Sequence, residues 1–247
     1  MSKLNATNFR TKEERLTQKR VEMVLQYVIY CYQKMISEGR TYKKSDFWNE
    51  AKTRFNLEEG LSEKLVNDYL GIWDNKEYYK RNISDKPDVE IYFNLEPKQS
   101  YTENNTIKDD FIDIKVQETG ISNIWGKAGV QEPVHLALEC KIIENGYSEY
   151  VSDIQKICER HYNTPRLDFE GQIAFITNPK YSHNSVRDGI NNNLSANNDI
   201  STSRLLDSIE LLPSFDASYL SKHFRSHNKR SFDIYHLMFN YTSILLN

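Results

Sequence analysis

With 247 residues, 38% of them hydrophobic and 12% aromatic, the chain can bury a sizeable core, which excludes a disordered tail protein. A formal net charge of −3 excludes a polybasic arm, so any nucleic-acid contact has to come from a local patch. Cys31, Cys140 and Cys158 are odd in number and lack CxxC spacing, which argues against a disulfide framework or structural zinc and fits a reducing cytoplasm. The start, Met1-Ser2-Lys3-Leu4, has no apolar signal core, and no apolar run approaches the ~20 residues that span a bilayer, so no membrane association is expected.

Residues 12–38 carry Leu16, Val21, Val24, Leu25, Val28, Ile29, Tyr32 and Met35 at three- and four-residue intervals, the pattern of an amphipathic helix stopped by Gly39. A second helix is expected from Ser45 through Phe47, Trp48, Ala51 and Phe55, and a third over 62–70 with Gly71 as its stop. After Lys80 the period shortens. Residues 88–93 alternate as a half-buried strand, 98–109 read as an extended polar loop, and 111–116 as a second strand. Residues 120–133 read as loop, while 134–143 form an apolar run suited to a central strand covered on both faces. Helical spacing returns over 147–162 and a buried strand over 171–176, so strand, crossover helix and strand imply a parallel pair. The Asn- and Ser-rich stretch 183–203 reads as a surface connection, 205–212 as a short helix or strand, and 232–246 as a terminal element docked on the core. The expected architecture is α/β: a mixed sheet flanked by helices in 76–247, with 1–75 as an N-terminal helical lobe packed on it. No P-loop or GxGxxG occurs, which argues against a nucleotide-driven motor.

The chemistry concentrates in Leu138-Glu139-Cys140-Lys141-Ile142. Side chains alternate across a strand, so Glu139 and Lys141 share one face while Leu138, Cys140 and Ile142 share the other. Burying a carboxylate and an ammonium costs several kcal/mol unless they are paired or bound to metal. A structural ion pair is the plain alternative to an active site.

These residues resemble the Glu-X-Lys half of the PD-(D/E)XK, or restriction endonuclease-like, nuclease superfamily, whose core order of helix, three-stranded meander, helix and strand is the order read above. The resemblance covers about residues 77–179 and rests on a short motif. It implies that Glu139 and an aspartate of the second strand bind Mg²⁺ or Mn²⁺, that the backbone carbonyl of Cys140 assists, and that Lys141 is the catalytic lysine. Two aspartates fit the upstream position: Asp113 in Ile112-Asp113-Ile114, and Asp88 in Pro87-Asp88-Val89. Counting strands favours Asp113, and Asp88 stays as the alternative ligand. A further parsing, Asp88 with Asp113-Ile114-Lys115, lacks the crossover helix that should follow. The early-helix carboxylate common in the family falls on Glu63 or Glu22, and supporting positions on the crossover helix on Gln155 and Lys156, though exposure on a helix surface is the preferred account of each.

By resemblance, then, the chain is expected to be a Mg²⁺-dependent nuclease hydrolysing DNA, with RNA not excluded, in a restriction or anti-phage defence system with a protein partner of that system; a homodimer is compatible. A catalytically inactive module that binds nucleic acid or protein is the alternative. Hard oxygen ligands suit Mg²⁺ or Mn²⁺, whereas zinc would call for more His and Cys. Residues 222–230, with Lys222, Arg225, Lys229, Arg230, His223 and His227, are the candidate phosphate-tracking patch, with a solvated loop as the alternative.

Overall fold

The computed structural model describes residues 6–47, 55–82, 90–103, 106–127, 129, 135–162 and 166–246. Helix α1, Ala6–Ser37, buries Val21, Val24, Leu25, Val28, Ile29, Tyr32 and Met35 as their spacing requires, and Gly39 at φ 63° closes it. Strand β1, Tyr42–Lys43, precedes a single 3₁₀ turn, Lys44–Phe47, where the second helix was expected; Trp48 and Ala51 lie outside the described residues. Helix α2, Phe55–Leu65, begins about two turns before the expected third helix and runs into one π-helical turn, Val66–Leu70. Then come α3, Trp73–Asn82; β2, Ile91–Leu95; β3, Lys98–Glu103; β4, Thr106–Phe111; β5, Ile114–Glu118; α4, Thr119–Lys127; and β6, Leu136–Ile143. The remainder is α5, Ser148–Glu159; β7, His161–Tyr162; β8, Phe169–Ile176; α6, His183–Ala196; β9, Thr202–Ser208; β10, Ser218–Phe224; β11, Ser231–Asn240; and β12, Leu245–Leu246.

The chain is mixed α/β. A seven-stranded sheet runs β2-β5-β6-β8-β11-β10-β9, with β6 central between antiparallel β5 and parallel β8. Helix α5 is the crossover between β6 and β8, as the strand–helix–strand pattern requires. One hydrophobic cluster contains side chains of α1, α2, α5, α6 and the sheet. Among the described residues no helix is long and apolar enough to cross a membrane.

Three segments expected to be loops are regular elements. Residues 98–109 fall in the hairpin β3–β4, which pairs with β7 as a separate three-stranded sheet; Tyr101 packs against Tyr162 with ring centroids 6.0 Å apart. Most of its described polar side chains are exposed or half-buried, with Gln99 buried, while the ladder satisfies its backbone. Residues 119–127 are helical because the Glu118 carboxylate accepts from the N–H groups of Gly120 and Ile121, at 2.9 and 2.6 Å, satisfying donors that open the helix. In α6, the reciprocal Ser182–Ser185 capping box and the four-residue spacing of buried Val186, Ile190 and Leu194 outweigh the Asn content. The terminal apolar segment is not docked on the sheet but forms part of it, as β11 between β8 and β10.

A buried hydrogen-bonded chain crosses this sheet half: Tyr150 Oη to His236 Nδ1 at 2.9 Å, His236 Nε2 to Ser221 Oγ at 2.8 Å, Ser221 Oγ to His223 Nε2 at 2.7 Å, and His223 Nδ1 to Thr202 Oγ1 at 3.0 Å. Burial drives the His223 pKa down to about 4, and burial with the neighbouring His223 holds His236 well below the usual histidine value. A histidine held neutral in the folded state contributes its full stability above its unfolded pKa of ~6.5 and loses it as the pH falls toward the folded value. His223→Gln is therefore expected to flatten the loss of stability between about pH 6.5 and 4, read from denaturant midpoints across that range. An unchanged slope would mean that His223 is not the titrating group.

Candidate active site

The site forms where β6 outruns β5. The last register pair is Ile114 with Leu138, so the N–H groups of Cys140 and Ile142, on the same edge of β6, have no strand partner there. Buried N–H groups left unpaired are costly, and two carboxylates take them. Asp113 Oδ2 accepts from Cys140 N at 2.6 Å, and Glu58 Oε2 accepts from Ile142 N at 3.0 Å. Asp113 occupies the bend just before β5, and α2 supplies Glu58. Because the N–H and C=O of one strand residue leave on the same edge, the Cys140 carbonyl also emerges on the edge that β5 vacates.

The side chains of β6 alternate as expected: Leu138, Cys140 and Ile142 are buried, and Glu139 and Lys141 are half-buried toward a cleft of about 570 Å³. Lys141 Nζ lies 2.7 Å from Glu58 Oε1 and 3.2 Å from Asp153 Oδ2, and Lys156 Nζ lies 2.6 Å from Asp153 Oδ1. Among the described residues, Asp113, Glu139, Glu58 and Asp153 thus share the cleft with two lysines, Lys141 and Lys156, and with Glu59, Glu96 and Asp110 on its lining. Arg160 also reaches the cleft but is ion-paired with Asp110. No hydrogen bond or ion pair among the described residues reaches the Glu139 carboxylate.

This imbalance governs the protonation states. Desolvation, helped by the charges of Glu58 and Asp153 and resisted by the Cys140 N–H and Lys141, pushes the Asp113 pKa up to about 7. Burial first, and then the charge of Asp113, hold Glu139 well above the usual carboxylate range; Arg166 is the main opposing charge. Burial works against the Lys141 ammonium, yet Asp153 and Glu58 outweigh it and keep the amine more basic than usual. Lys141 is therefore a fixed cation. On the outer rim, Glu96 is raised to about 7, mainly by its hydrogen bond with Glu59.

On neighbouring β8 the buried Glu170 carboxylate is held by Arg166 at 2.9 Å and Arg225 at 2.7 Å, with the Arg166 guanidinium 4.0 Å over the Tyr162 ring. This triad places positive charge behind Glu139 without contacting it through a hydrogen bond.

Asp113, Glu139 and Lys141 all line the one cleft, and Asp88 lies outside the described residues. Neither expected early-helix acid lines it: Glu22 accepts from Gln18 and Tyr235, and exposed Glu63 accepts from Asn67. Glu58 reaches the cleft instead, hidden from sequence reading because the helix starts at Phe55. Lys156 lines the cleft, whereas Gln155 turns away to Glu159 and Asn197. Asp153 was missed although it left a signal, an acid within the buried stripe of Tyr150, Ile154 and Ile157. The basic segment 222–230 is largely spent internally: Lys222 pairs with Asp233, Arg225 with Glu170 and Arg230 with Asp168, and His227 stacks on His161.

No group of three or more His, Cys, Asp or Glu side chains among the described residues is gathered closely enough to hold a metal ion by itself. The donor set does suit a cation that keeps much of its water: two carboxylates with raised pKa values beside a stretch of β6 that β5 does not pair, the pattern in which Mg²⁺ is bound by one or two carboxylates and solvent. No family model matches the chain, and neither does any curated protein or solved structure.

Proposed function

We propose that the protein is a Mg²⁺-dependent nuclease that hydrolyses phosphodiester bonds in DNA, with Asp113 and Glu139 as metal ligands, the Cys140 carbonyl beside them and Lys141 as the catalytic lysine. The observation that carries this reading is the break in the β5–β6 ladder, where Asp113 is anchored on Cys140 N–H beside Glu139 and Lys141. Bound there, Mg²⁺ or Mn²⁺ would offset charge on the non-bridging phosphate oxygens and lower the pKa of a coordinated water. The Cys140 N–H fixes the orientation of Asp113. Glu58 and Asp153 keep Lys141 charged and in place, so that its ammonium can face the phosphate at the moment of displacement. Placement in a restriction or anti-phage system rests on the motif resemblance alone.

One observation favours a catalytically silent binding module: the Lys141 ammonium is engaged by two carboxylates rather than standing free. Cleavage of supercoiled and linear DNA separates the two readings. Wild-type protein is expected to cut with Mg²⁺ or Mn²⁺ and not with EDTA, Asp113→Ala and Glu139→Ala are expected to be inactive, and Asp88→Ala to remain active. Activity surviving Asp113→Ala but lost in Asp88→Ala would transfer the ligand role to Asp88. The metal site has its own readout, since saturating Mg²⁺ at 100 Kd should stabilise the fold by ~2.7 kcal/mol. The absence of both cleavage and a metal-dependent melting shift would sink the proposal.

A further inference from the structure

Within this largely charged cleft stands one exposed apolar ring that the proposed chemistry does not use. Phe111, at the end of β4, lines the cleft and is 59% exposed, whereas the other aromatic ring lining it, Tyr162, is buried. Its strand is fixed on both sides: Phe111 pairs in register with Lys98, and the next residue, Ile112, is buried and donates its N–H to Pro97 O at 3.3 Å. The ring is thus held in water by a rigid backbone. A single exposed hydrophobe is ordinary elsewhere on a surface; here it borders the cleft in which Asp113, Glu139 and Lys141 sit.

The same cleft carries Lys156 near the end of α5 and Arg160 just beyond it, four residues apart. Arg160 is pre-positioned by its ion pair with Asp110 and by the Tyr101 ring, 4.6 Å from its guanidinium carbon. Both cations are already ion-paired, Lys156 with Asp153 and Arg160 with Asp110, so a phosphate would share them with those carboxylates; Lys156, with its side chain 47% exposed, is the more accessible of the two. Cations beside an aromatic face that can take a base are the two elements of single-strand recognition. In a duplex both faces of an internal base are covered by its neighbours, so an exposed ring gains nothing from it. An unstacked base offers a free face. The volume of about 570 Å³ is on the scale of sites that enclose a small organic ligand, which suits a nucleotide unit better than a duplex segment.

We infer that the cleft takes a nucleic-acid strand that is single at the scissile position, with an unpaired base stacked on Phe111 and its flanking phosphates on Lys156 and Arg160. This rests on the nuclease reading for its site, but it is tested by binding. Fluorescence anisotropy with labelled single-stranded DNA, single-stranded RNA of the same sequence and a blunt DNA duplex, in Ca²⁺, compares wild type with Phe111→Ala and Phe111→Trp. Wild type is expected to bind a single strand more tightly than the duplex. Phe111→Ala should weaken single-strand binding roughly ten-fold, leave duplex binding and the melting temperature unchanged, and be rescued by Phe111→Trp. Preference for the duplex, indifference to Phe111→Ala, or no binding to any probe would overturn the inference. Phe111-dependent binding without cleavage in Mg²⁺ would overturn the nuclease reading alone, and metal-dependent cleavage with Phe111-independent binding would overturn this inference alone.

Discussion

Glu139→Gln is expected to make the metal-free protein more stable at pH 8 while abolishing metal-dependent cleavage. The folded state raises the pKa of Glu139 well above its ordinary value through burial and the nearby charge of Asp113. A carboxyl whose folded pKa exceeds its unfolded pKa binds its proton more tightly when folded, so its ionisation opposes folding. That penalty is absent below about pH 4.5 and fully present once the pH exceeds the folded value. Asp113, in the same cleft, is raised to about 7, and because the two acids share their repulsion, removing one relieves the other, so the variant should melt higher than wild type at pH 8. Thermal melts in EDTA at pH 8 and pH 4.5 check it: the gain should appear at the first pH and vanish at the second. The buried histidines affect both proteins alike and cancel in the comparison. Added Mg²⁺ should raise the wild-type melting temperature and leave the variant unmoved. A Glu139→Gln protein that melts lower at pH 8 would show that Glu139 makes a favourable structural contact, and the metal proposal would lose its electrostatic basis.

How far the chain announced this arrangement depends on where each signal resides. The central strand was legible because eight of the ten residues of 134–143 are neither Glu nor Lys, so the charged pair at 139 and 141 stands out against an apolar run and alternation assigns both to one face. The crossover helix was legible for the same reason, since Val151, Ile154, Ile157 and Cys158 keep helical spacing. What escaped was tertiary. That the β5–β6 ladder ends at Ile114, and that Glu58 and Asp113 take the N–H groups left beyond it, is a matter of register, which no local pattern encodes. Polar strands such as β3 and β4 escaped as well, because their stability lies in a ladder and in a few aromatic contacts such as Tyr101 with Tyr162, not in an apolar face. In α4 and α6 the deciding groups were caps, Glu118 and Ser182, whose side chains matter through one or two backbone donors. The basic segment 222–230 misled for the opposite reason: its cations are conspicuous in sequence, but Asp168, Glu170 and Asp233, which neutralise most of them, come from elsewhere in the fold or from the next strand.

Lys141→Met is expected to lower the stability of the metal-free protein by about 3 kcal/mol and cleavage by about 10²–10³-fold, while increasing the response to Mg²⁺. The ammonium neutralises Glu58 at 2.7 Å and Asp153 at 3.2 Å, both largely buried, and removing one partner of such a pair leaves the other charge uncompensated. The loss should fall at the lower end of the 3–5 kcal/mol common for buried pairs, because Glu58 keeps its hydrogen bond from Ile142 N–H and Asp153 keeps Lys156. The cleft is then left with Glu58, Asp113, Glu139 and Asp153 facing Lys156 and the already paired Arg160. A divalent cation should enter this more negative site more readily, so titration with Mg²⁺ should shift the melting temperature of Lys141→Met further than that of wild type. Metal binding and catalysis thereby move in opposite directions, which a general loss of structure would not produce. Lys141→Arg should recover much of the stability but little of the rate, because a planar guanidinium can satisfy Glu58 and Asp153 without presenting a point charge where the ammonium stood. Undiminished cleavage by Lys141→Met would remove Lys141 from the reaction and leave it a counterion for two carboxylates.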